Sequence, residues 1–275
     1  MGIQHSIICV AGPTASGKSA RAIELAQELD GEVISVDSRQ VYRGLDIGTE
    51  KISLEEMQGV PHHLIDICDA ATPYNAADFA RDAEKLIEDM VARGKVPILA
   101  GGTHFYFETL IYGLPDTEGA NPLYRAELES FSTEELAQML TKLDPRRAST
   151  IDLLNRRRLI RALEIVKVHG HVPEREPRMP RYNVTWEIIN PERDVLRERI
   201  NARLASAFDR GLIEEVTRVR EEVGDARLTE LGLEYRIVGE YLRGERDKET
   251  LIPALESKLW HYARHQRSWL RRLVP

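Results

Sequence analysis

The chain has 275 residues, of which 42% are hydrophobic and 30% charged, so a disordered or fibrous protein is excluded and one substantial core is expected. No stretch approaches the roughly 18 apolar residues needed to cross a bilayer, and the opening MGIQHSIICV lacks the basic start of a signal peptide, so we expect a cytoplasmic protein without a membrane segment. The formal net charge of -7 argues against a nucleic-acid partner only on average, because basic residues cluster between Arg146 and Arg181 and again after Lys258.

Short β-branched runs alternate with helical patterns through the first hundred residues. Such alternation predicts βαβ units and a parallel sheet covered by helices. Ligands of such sheets gather at the carboxyl ends of the strands, so the polar segments GPTASGKS, DSRQ and GGTH are expected to converge on one site. The runs are, in chain order, SIICV, SARAIELAQEL, EVISV, HLIDI, AADFARDAEKLIEDMVAR and VPILA.

Residues 12–19 fit the phosphate-binding pattern G-x-x-x-x-G-K-[ST], which is also the ATP-binding motif, and they lie between a strand and a helical pattern as that loop requires. The glycines allow the tight backbone, the loop amides face anionic oxygens, Lys18 supplies a cation and Ser19 is placed to bind Mg²⁺. A kinase, an ATPase or an enzyme that expels pyrophosphate would each use such a loop. The residues assigned to diphosphate binding are Gly12, Pro13, Thr14, Ala15, Ser16, Gly17, Lys18 and Ser19.

The pattern changes near Leu114, after which helical stretches follow and no strand-like run returns until residues 184–190. We therefore predict an α/β protein with a P-loop NTPase-like parallel sheet flanked by helices and interrupted by a helical insertion domain. The predicted parts are the first part of the core at 1–117, the insertion at 118–182 and the second part of the core at 183–275. Because no coiled-coil heptad persists, we expect a monomer.

The cysteines and paired histidines do not predict a metal site. Cys9 and Cys68 are too few for a zinc ribbon, and both lie in apolar runs. His62 and His63 are adjacent on a predicted strand and so point to opposite faces. We expect no zinc or disulfide framework here.

Seven passages carry a family resemblance, namely GPTASGKS, EVISVDSRQVYRGLDIGTEK, GVPHHLIDICD, YNAADFARDA, VPILAGGTHFYFETLIYGL, NRRRLIRALEIVKVHG and RHQRSWLR. In this order and over nearly the whole chain, they resemble the tRNA dimethylallyltransferases, also called tRNA isopentenyltransferases. The resemblance implies transfer of a dimethylallyl group from dimethylallyl diphosphate to the exocyclic 6-amino group of adenosine at position 37 of tRNA, in the anticodon stem-loop. Diphosphate would be released, Mg²⁺ would be the cofactor, and ATP would not be consumed.

An adenine 6-amine is a weak nucleophile, so the reaction needs a positioned base and a stabilised leaving group. The resemblance makes Asp37 the candidate base; the alternative is that Asp37 orders its loop or binds Mg²⁺ through water. Lys18 and Thr103 would stabilise the leaving pyrophosphate, and Thr103 would also contact tRNA. The alternative for Thr103 is an ordinary N-cap of the following helix. The residues that would complete recognition of the adenosine are Ser38, Arg39 and Gln40.

A basic run in the predicted insertion corresponds to a stretch that contacts tRNA or pyrophosphate in the family. Arg158 and Arg161 are three residues apart and share a helix face. We assign Arg161 to diphosphate as well as to tRNA, and a solvated basic face is the alternative. The predicted tRNA contacts of the insertion are Arg125, Arg157, Arg158, Leu159, Ile160 and Arg161.

Two features depart from the family pattern. His104 follows GGT where a glycine or small apolar residue is common, and we expect it to reshape the channel near the pyrophosphate. The segment LGLEYRIVGEYLRG stands where GY-[KR]-[EQ] is typical, so a contact of this segment with tRNA does not follow from the resemblance.

Two rival functions share the phosphate loop. A prenyltransferase that acts on free adenine nucleotides would also use Asp37, but it would lack a basic insertion. A small-molecule kinase would bind ATP at the loop and would leave DSRQVYRGLDIGT without a purpose.

Overall fold

The centre of the fold is a five-stranded, fully parallel sheet in the order β3-β2-β4-β1-β5. It is seen in a computed structural model that describes residues 5–114, 121–174 and 179–272. The predicted α/β parallel sheet is thereby confirmed. Its strands are β1 (Ser6–Ala11), β2 (Gly31–Val36), β3 (His62–His63), β4 (Val96–Gly101) and β5 (Asn183–Ile188).

Helices cover both faces of the sheet because alternate strand residues point to opposite sides. Val10, Val33 and Ile98 pack with α1 on one face. Their chain neighbours Cys9, Ile34 and Leu99 pack with α2 and α3 on the other face. The helices are α1 (Lys18–Leu29), α2 (Ala76–Ala92), α3 (His104–Tyr112), α4 (Pro122–Glu129), α5 (Thr133–Leu143), α6 (Pro145–Ala148), α7 (Arg156–His169), α8 (Arg193–Asp209), α9 (Leu212–Leu228), α10 (Leu233–Leu242) and α11 (Leu251–Leu270), the last preceded by a 3₁₀ turn at Lys248–Thr250.

The carboxyl ends of three central strands are level with one another. Gly101 of β4 pairs with Ala11 of β1 on one side and with Val36 of β2 on the other. The segments that follow these strands therefore begin side by side at one edge of the sheet, as the sequence predicts.

The run HLIDI forms less strand than predicted. Only His62 and His63 pair with β2. Leu64 and Asp66 have φ values of 61° and 54°, and a left-handed backbone cannot continue a strand.

Helices α8 to α11 contribute to a further apolar cluster, which includes Leu204, Val216, Tyr235 and Leu255. A long helical pattern runs through residues 194–223 of the sequence, and the structure divides it into α8 and α9 at Gly211, whose φ is 93°. Glycine adopts this conformation without a steric cost, so the chain can turn there.

The described chain divides into two compact units, residues 1–113 with 180–275, and residues 114–179. The predicted first boundary at 117/118 lies outside the described residues. The second division falls at 179/180, three residues before the predicted 182/183. The Arg181 N–H donates to the Ile111 carbonyl oxygen, and Tyr182 joins the core beneath the sheet. The smaller unit has its own core, built around Leu128, Leu140 and Leu163.

Candidate active site

A cavity of about 600 Å³ lies at the carboxyl edge of the sheet, in the larger unit. Segments that follow β1 and β2 form one side, and residues of α10 and α11 form another. Its volume is that of a site for a small ligand. The predicted site residues that line it are Thr14, Ala15, Ser16, Gly17, Lys18, Ser19, Asp37, Ser38, Arg39 and Gln40.

The phosphate loop is closely packed against its surroundings. A Cβ on Gly12 would lie 2.5 Å from the Ser16 Oγ and 2.6 Å from the Ile189 carbonyl oxygen. Gly17, directly before α1, has a φ of 95°. The two glycines are therefore required by the shape of the loop, although Gly12 itself does not line the cavity.

Lys18 is the cation of the loop, and its Nζ donates to the Pro13 carbonyl oxygen at 3.2 Å. Burial lowers the pKa of its ammonium to about 8, nearby Asp37 partly offsets this, and Arg203 lowers the pKa further. An anion bound in the cavity would supply the missing counter-charge.

Asp37 directly follows β2 and is fixed by its own loop. Its Oδ1 accepts the backbone N–H groups of Arg39 at 2.8 Å and Gln40 at 3.3 Å. The carboxylate thus orders the loop and also faces the cavity, so the geometry accommodates both functions considered for it.

The Gln40 side chain is engaged in the same loop. Its Nε2 donates to the backbone carbonyl oxygens of Thr49 and Glu50, at 3.3 and 3.1 Å. Gln40 therefore fixes a neighbouring part of the cavity wall as well as lining it.

Thr103 stands at the N-cap position of α3, but its side chain makes no capping bond. Its Oγ1 instead accepts the Ser38 backbone N–H at 3.1 Å. This bond links the loop after β4 to the loop after β2, so Thr103 supports the segment that carries Asp37.

His104 does not lie among the residues that line the cavity. Its ring stacks on Trp269, with centroids 4.2 Å apart and planes 9° apart. Burial, with the charge of Lys18, lowers its pKa to about 4, so the ring is neutral at neutral pH. The expected reshaping of the channel is therefore not seen in the cavity wall.

Two arginines that the sequence analysis did not single out hold the phosphate loop from α8. Arg203 Nη1 donates to the Thr14 Oγ1 at 2.6 Å, and Arg199 Nη1 donates to the Ser16 carbonyl oxygen at 3.0 Å. Their spacing of four residues within a helical pattern was the available signal, because it places both on one face. Arg203 also lines the cavity.

Helices α10 and α11 supply a wall of polar and aromatic side chains. Burial raises the pKa of the Glu234 carboxyl, in the segment that departs from the family pattern. Burial also raises the pKa of the Tyr262 hydroxyl to about 12. The remaining charged or aromatic lining residues on this wall are Arg236, Lys258, His261 and His265.

The smaller unit contains the predicted insertion contacts. The Arg125 guanidinium binds both carboxylate oxygens of buried Glu164, at 2.7 and 3.0 Å, and Arg161 binds Glu164 at 3.2 Å. Leu159 and Ile160 are buried in this unit's core. Their side chains are therefore enclosed by the unit itself, and the predicted tRNA contact of these two residues stays a prediction.

Arg157 and Arg158, by contrast, are exposed at the start of α7. Both side chains lie at the surface of this unit.

The described residues contain no group of three or more His, Cys, Asp or Glu side chains that could hold a metal. His62 Nδ1 lies 2.9 Å from the Val60 carbonyl oxygen, and His63 Nε2 lies 2.8 Å from a Glu32 carboxylate oxygen. Each histidine thus has a protein partner of its own. Within the described ranges, no helix is long and apolar enough to span a membrane.

The chain matches the IPP transferase family model over residues 40–273. It is 41% identical over 271 residues to tRNA dimethylallyltransferase 2 of Syntrophotalea carbinolica, covering 98% of this chain and 90% of that protein. It is 44% identical over 284 residues to the tRNA dimethylallyltransferase of Thermomicrobium roseum, covering 99% and 85%.

Solved structures show the same likeness. The crystal structure of a full-length tRNA isopentenylpyrophosphate transferase from Bacillus halodurans matches with a TM-score of 0.73 and 40% identity, over 98% of this chain and 87% of that one. A eukaryotic dimethylallyltransferase described as acting on tRNA matches with a TM-score of 0.81 and 28% identity, over 97% and 70%.

Proposed function

We propose that this chain is a tRNA dimethylallyltransferase, because it belongs to the IPP transferase family. The 6-amino nitrogen of adenosine 37 forms a bond to C1 of dimethylallyl diphosphate, the C1–O bond breaks, and diphosphate leaves with the bonding electrons. Asp37 takes the amine proton. The observation that carries the proposal is that the phosphate loop and Asp37 face one cavity.

Each part of the donor has a complementary part of the cavity. Lys18 and Arg203 carry the positive charge that a leaving diphosphate needs. Ile52, Leu233 and Leu259 also line the cavity and offer apolar surface to a prenyl chain. The site thus combines an anion-binding end with apolar wall, as a prenyl diphosphate requires.

The acceptor base must leave its stack before its amine can reach Asp37. Drawing a base from a single-stranded loop costs a few kcal/mol, which contacts to the RNA backbone would offset. Exposed Arg157 and Arg158, together with Lys258 on the wall of the cavity, are the residues to which we assign such contacts.

Magnesium is the cofactor we propose, and the donors present fit it. Ser19 offers an exposed hydroxyl in the first turn of α1, and bound diphosphate would add oxygens, the donor type that Mg²⁺ prefers. Ser19 would hold the ion, which would neutralise charge on the leaving group. A monomer working in the cytoplasm, where tRNA is modified, completes the proposal.

To test this, the protein is incubated with Mg²⁺, labelled dimethylallyl diphosphate and one acceptor in each of three reactions. The acceptors are unmodified tRNA, the same tRNA with guanosine at position 37, and adenosine monophosphate. We expect label only in the unmodified tRNA. Label in the monophosphate alone would instead identify a free-nucleotide prenyltransferase. With no label in any acceptor, phosphate transfer from ATP becomes the reaction to assay.

A further inference from the structure

A buried glutamine of α11 joins two of the loops that form the cavity. The Gln266 side chain is 3% exposed. Its Oε1 accepts the Thr14 backbone N–H at 2.9 Å, and its Nε2 donates to the Gly102 carbonyl oxygen at 3.0 Å. A single amide therefore bridges the phosphate loop, the loop after β4 and the last helix.

The bridged loops carry the groups assigned to the reaction. On one side, Thr14 lies in the phosphate loop, and its hydroxyl is held by Arg203. On the other side, Gly102 precedes Thr103, whose Oγ1 accepts the Ser38 N–H beside Asp37. A continuous path of hydrogen bonds and short backbone segments thus runs from the diphosphate site to the candidate base through Gln266.

The hydrogen-bond pattern at this position requires an amide. It must accept at one atom and donate at the other, which an ionised carboxylate and an apolar side chain cannot do. The packing is also close, because a Cβ on Gly102 would lie 2.5 Å from the Gln266 Nε2. The bond to Gly102 is buried and the bond to Thr14 is partly buried, so replacing the amide leaves the Gly102 carbonyl and the Thr14 N–H without this partner.

We propose that Gln266 is a positioning residue that fixes the spacing between the diphosphate site and Asp37. Its effect on turnover rests on the proposed function, whereas its effect on diphosphate binding rests on the geometry alone. Without the bridge, the two loops can shift relative to each other. A misplacement of about 1 Å in an active site can cost about 100-fold in rate.

The experiment compares Gln266→Leu, which removes both bonds, with Gln27→Leu as a matched control, since Gln27 is an exposed glutamine of α1. Titration calorimetry gives the Kd of inorganic pyrophosphate, and steady-state kinetics gives kcat and KM for prenyl transfer. We expect Q266L to bind pyrophosphate at least about tenfold more weakly and to lose at least about tenfold in kcat. Q27L should match the wild type in both, and tRNA binding should change less than about threefold in either variant.

The variant Gln266→Glu adds a reversible form of the same change. A protonated carboxyl accepts and donates as the amide does, whereas the ionised form repels the Gly102 carbonyl oxygen. The ratio of the Q266E to the wild-type Kd for pyrophosphate should therefore fall towards one as the pH is lowered. The other titratable or charged groups of the cavity are the same in both proteins, so the ratio of the two Kd values reports the change at residue 266. These groups are Lys18, Asp37, Arg39, Glu50, His62, Arg203, Glu234, Arg236, Lys258, His261, Tyr262 and His265.

A lowered Tm in Q266L, with pyrophosphate affinity and kcat per folded molecule unchanged, would overturn the proposal, because it would show a structural role only. Gly102→Ala displaces the same amide from the other side and should reproduce the weaker pyrophosphate binding. If it binds normally, the bridge does not matter. A wild type that binds pyrophosphate but prenylates no tRNA would refute the proposed function, and the pyrophosphate comparison would still decide the role of Gln266.

Discussion

Protonation of Lys18 sets how diphosphate affinity depends on pH. Its pKa is lowered from 10.5 to about 8, and a bound anion favours the charged form. Affinity should therefore fall as pH rises through about 8, by up to about tenfold per pH unit. Calorimetric titration with pyrophosphate from about pH 7 to about pH 9.5 tests this, with the variant Lys18→Arg as the reference. The arginine guanidinium stays charged over this range. Titration of pyrophosphate itself cancels in the ratio of the wild-type Kd to the Lys18→Arg Kd. A ratio independent of pH would contradict the prediction.

The same pKa shift has a consequence for stability. Above about pH 8 the folded chain releases the Lys18 proton while the unfolded chain keeps it up to about 10.5, so the stability of the ligand-free protein should rise with pH over that window. Lys18→Met should lack this gain. Urea denaturation at several pH values measures the difference.

The two functions considered for Asp37 are separable by substitution. Asp37→Asn keeps an oxygen that can accept the Arg39 and Gln40 N–H groups, but it removes the base, whereas Asp37→Ala removes both. We expect D37N to lose about 100-fold or more in kcat, with pyrophosphate and tRNA affinities within about threefold of the wild type. An active D37N beside an inactive D37A would show that Asp37 only orders its loop.

At the scale of an element, the loop after β2 depends on a buried carboxylate of α9. Glu215 accepts the backbone N–H groups of Asp46, Ile47 and Gly48 at 2.8 to 2.9 Å, and the Tyr235 hydroxyl at 2.7 Å. Glu215→Gln turns an N–H₂ group towards these donors and should cost about 2 kcal/mol or more in the free energy of unfolding. Urea denaturation measures it.

The control is the adjacent, exposed Glu214, whose change to Gln should stay within about 0.5 kcal/mol. Because Gly48 and Glu50 of this loop line the cavity, E215Q should also weaken substrate binding. Equal stability of the two variants would show that the buried bonds contribute little.

Elements with a strong local signal were predictable from the sequence. The phosphate loop, α2 and the strand that ends before Asp37 each follow from a motif or a period within about 20 residues. The prediction of a strand over HLIDI was wrong for most of the run, because its apolar pattern does not reveal that Leu64 and Asp66 adopt left-handed backbone conformations. Arg199, Arg203 and Gln266 were not assigned roles because their partners lie more than 160 residues away in the chain.

At the scale of the whole molecule, the phosphate loop is held by side chains from the far end of the sequence. Arg203 of α8 and Gln266 of α11 both bind Thr14. The first hundred residues therefore contain the motif but not these two contacts, and the second part of the core completes the cavity. Residues 114–179, by contrast, form a compact unit of their own.

Removing the insertion therefore tests whether the larger unit binds the diphosphate without it and whether tRNA binding depends on it. Its flanks meet in the larger unit, where the Arg181 N–H donates to the Ile111 carbonyl oxygen at 2.8 Å, so a short glycine linker can replace residues 114–179. The shortened chain should fold and bind pyrophosphate within about threefold of the wild type, because the lining residues of the cavity belong to the larger unit. It should bind tRNA at least about tenfold more weakly, because the exposed arginines are gone.

Filter binding with tRNA and calorimetry with pyrophosphate measure the two effects. The full-length double variant Arg157→Glu with Arg158→Glu distinguishes the effect of the two arginine charges from the effect of losing the whole unit. That variant should weaken tRNA binding and leave pyrophosphate binding unchanged. A folded, shortened chain that binds pyrophosphate at least about tenfold more weakly would contradict the division and would favour the assignment of Arg161 to the diphosphate. Arg161→Ala in the full chain would then have to show the same loss.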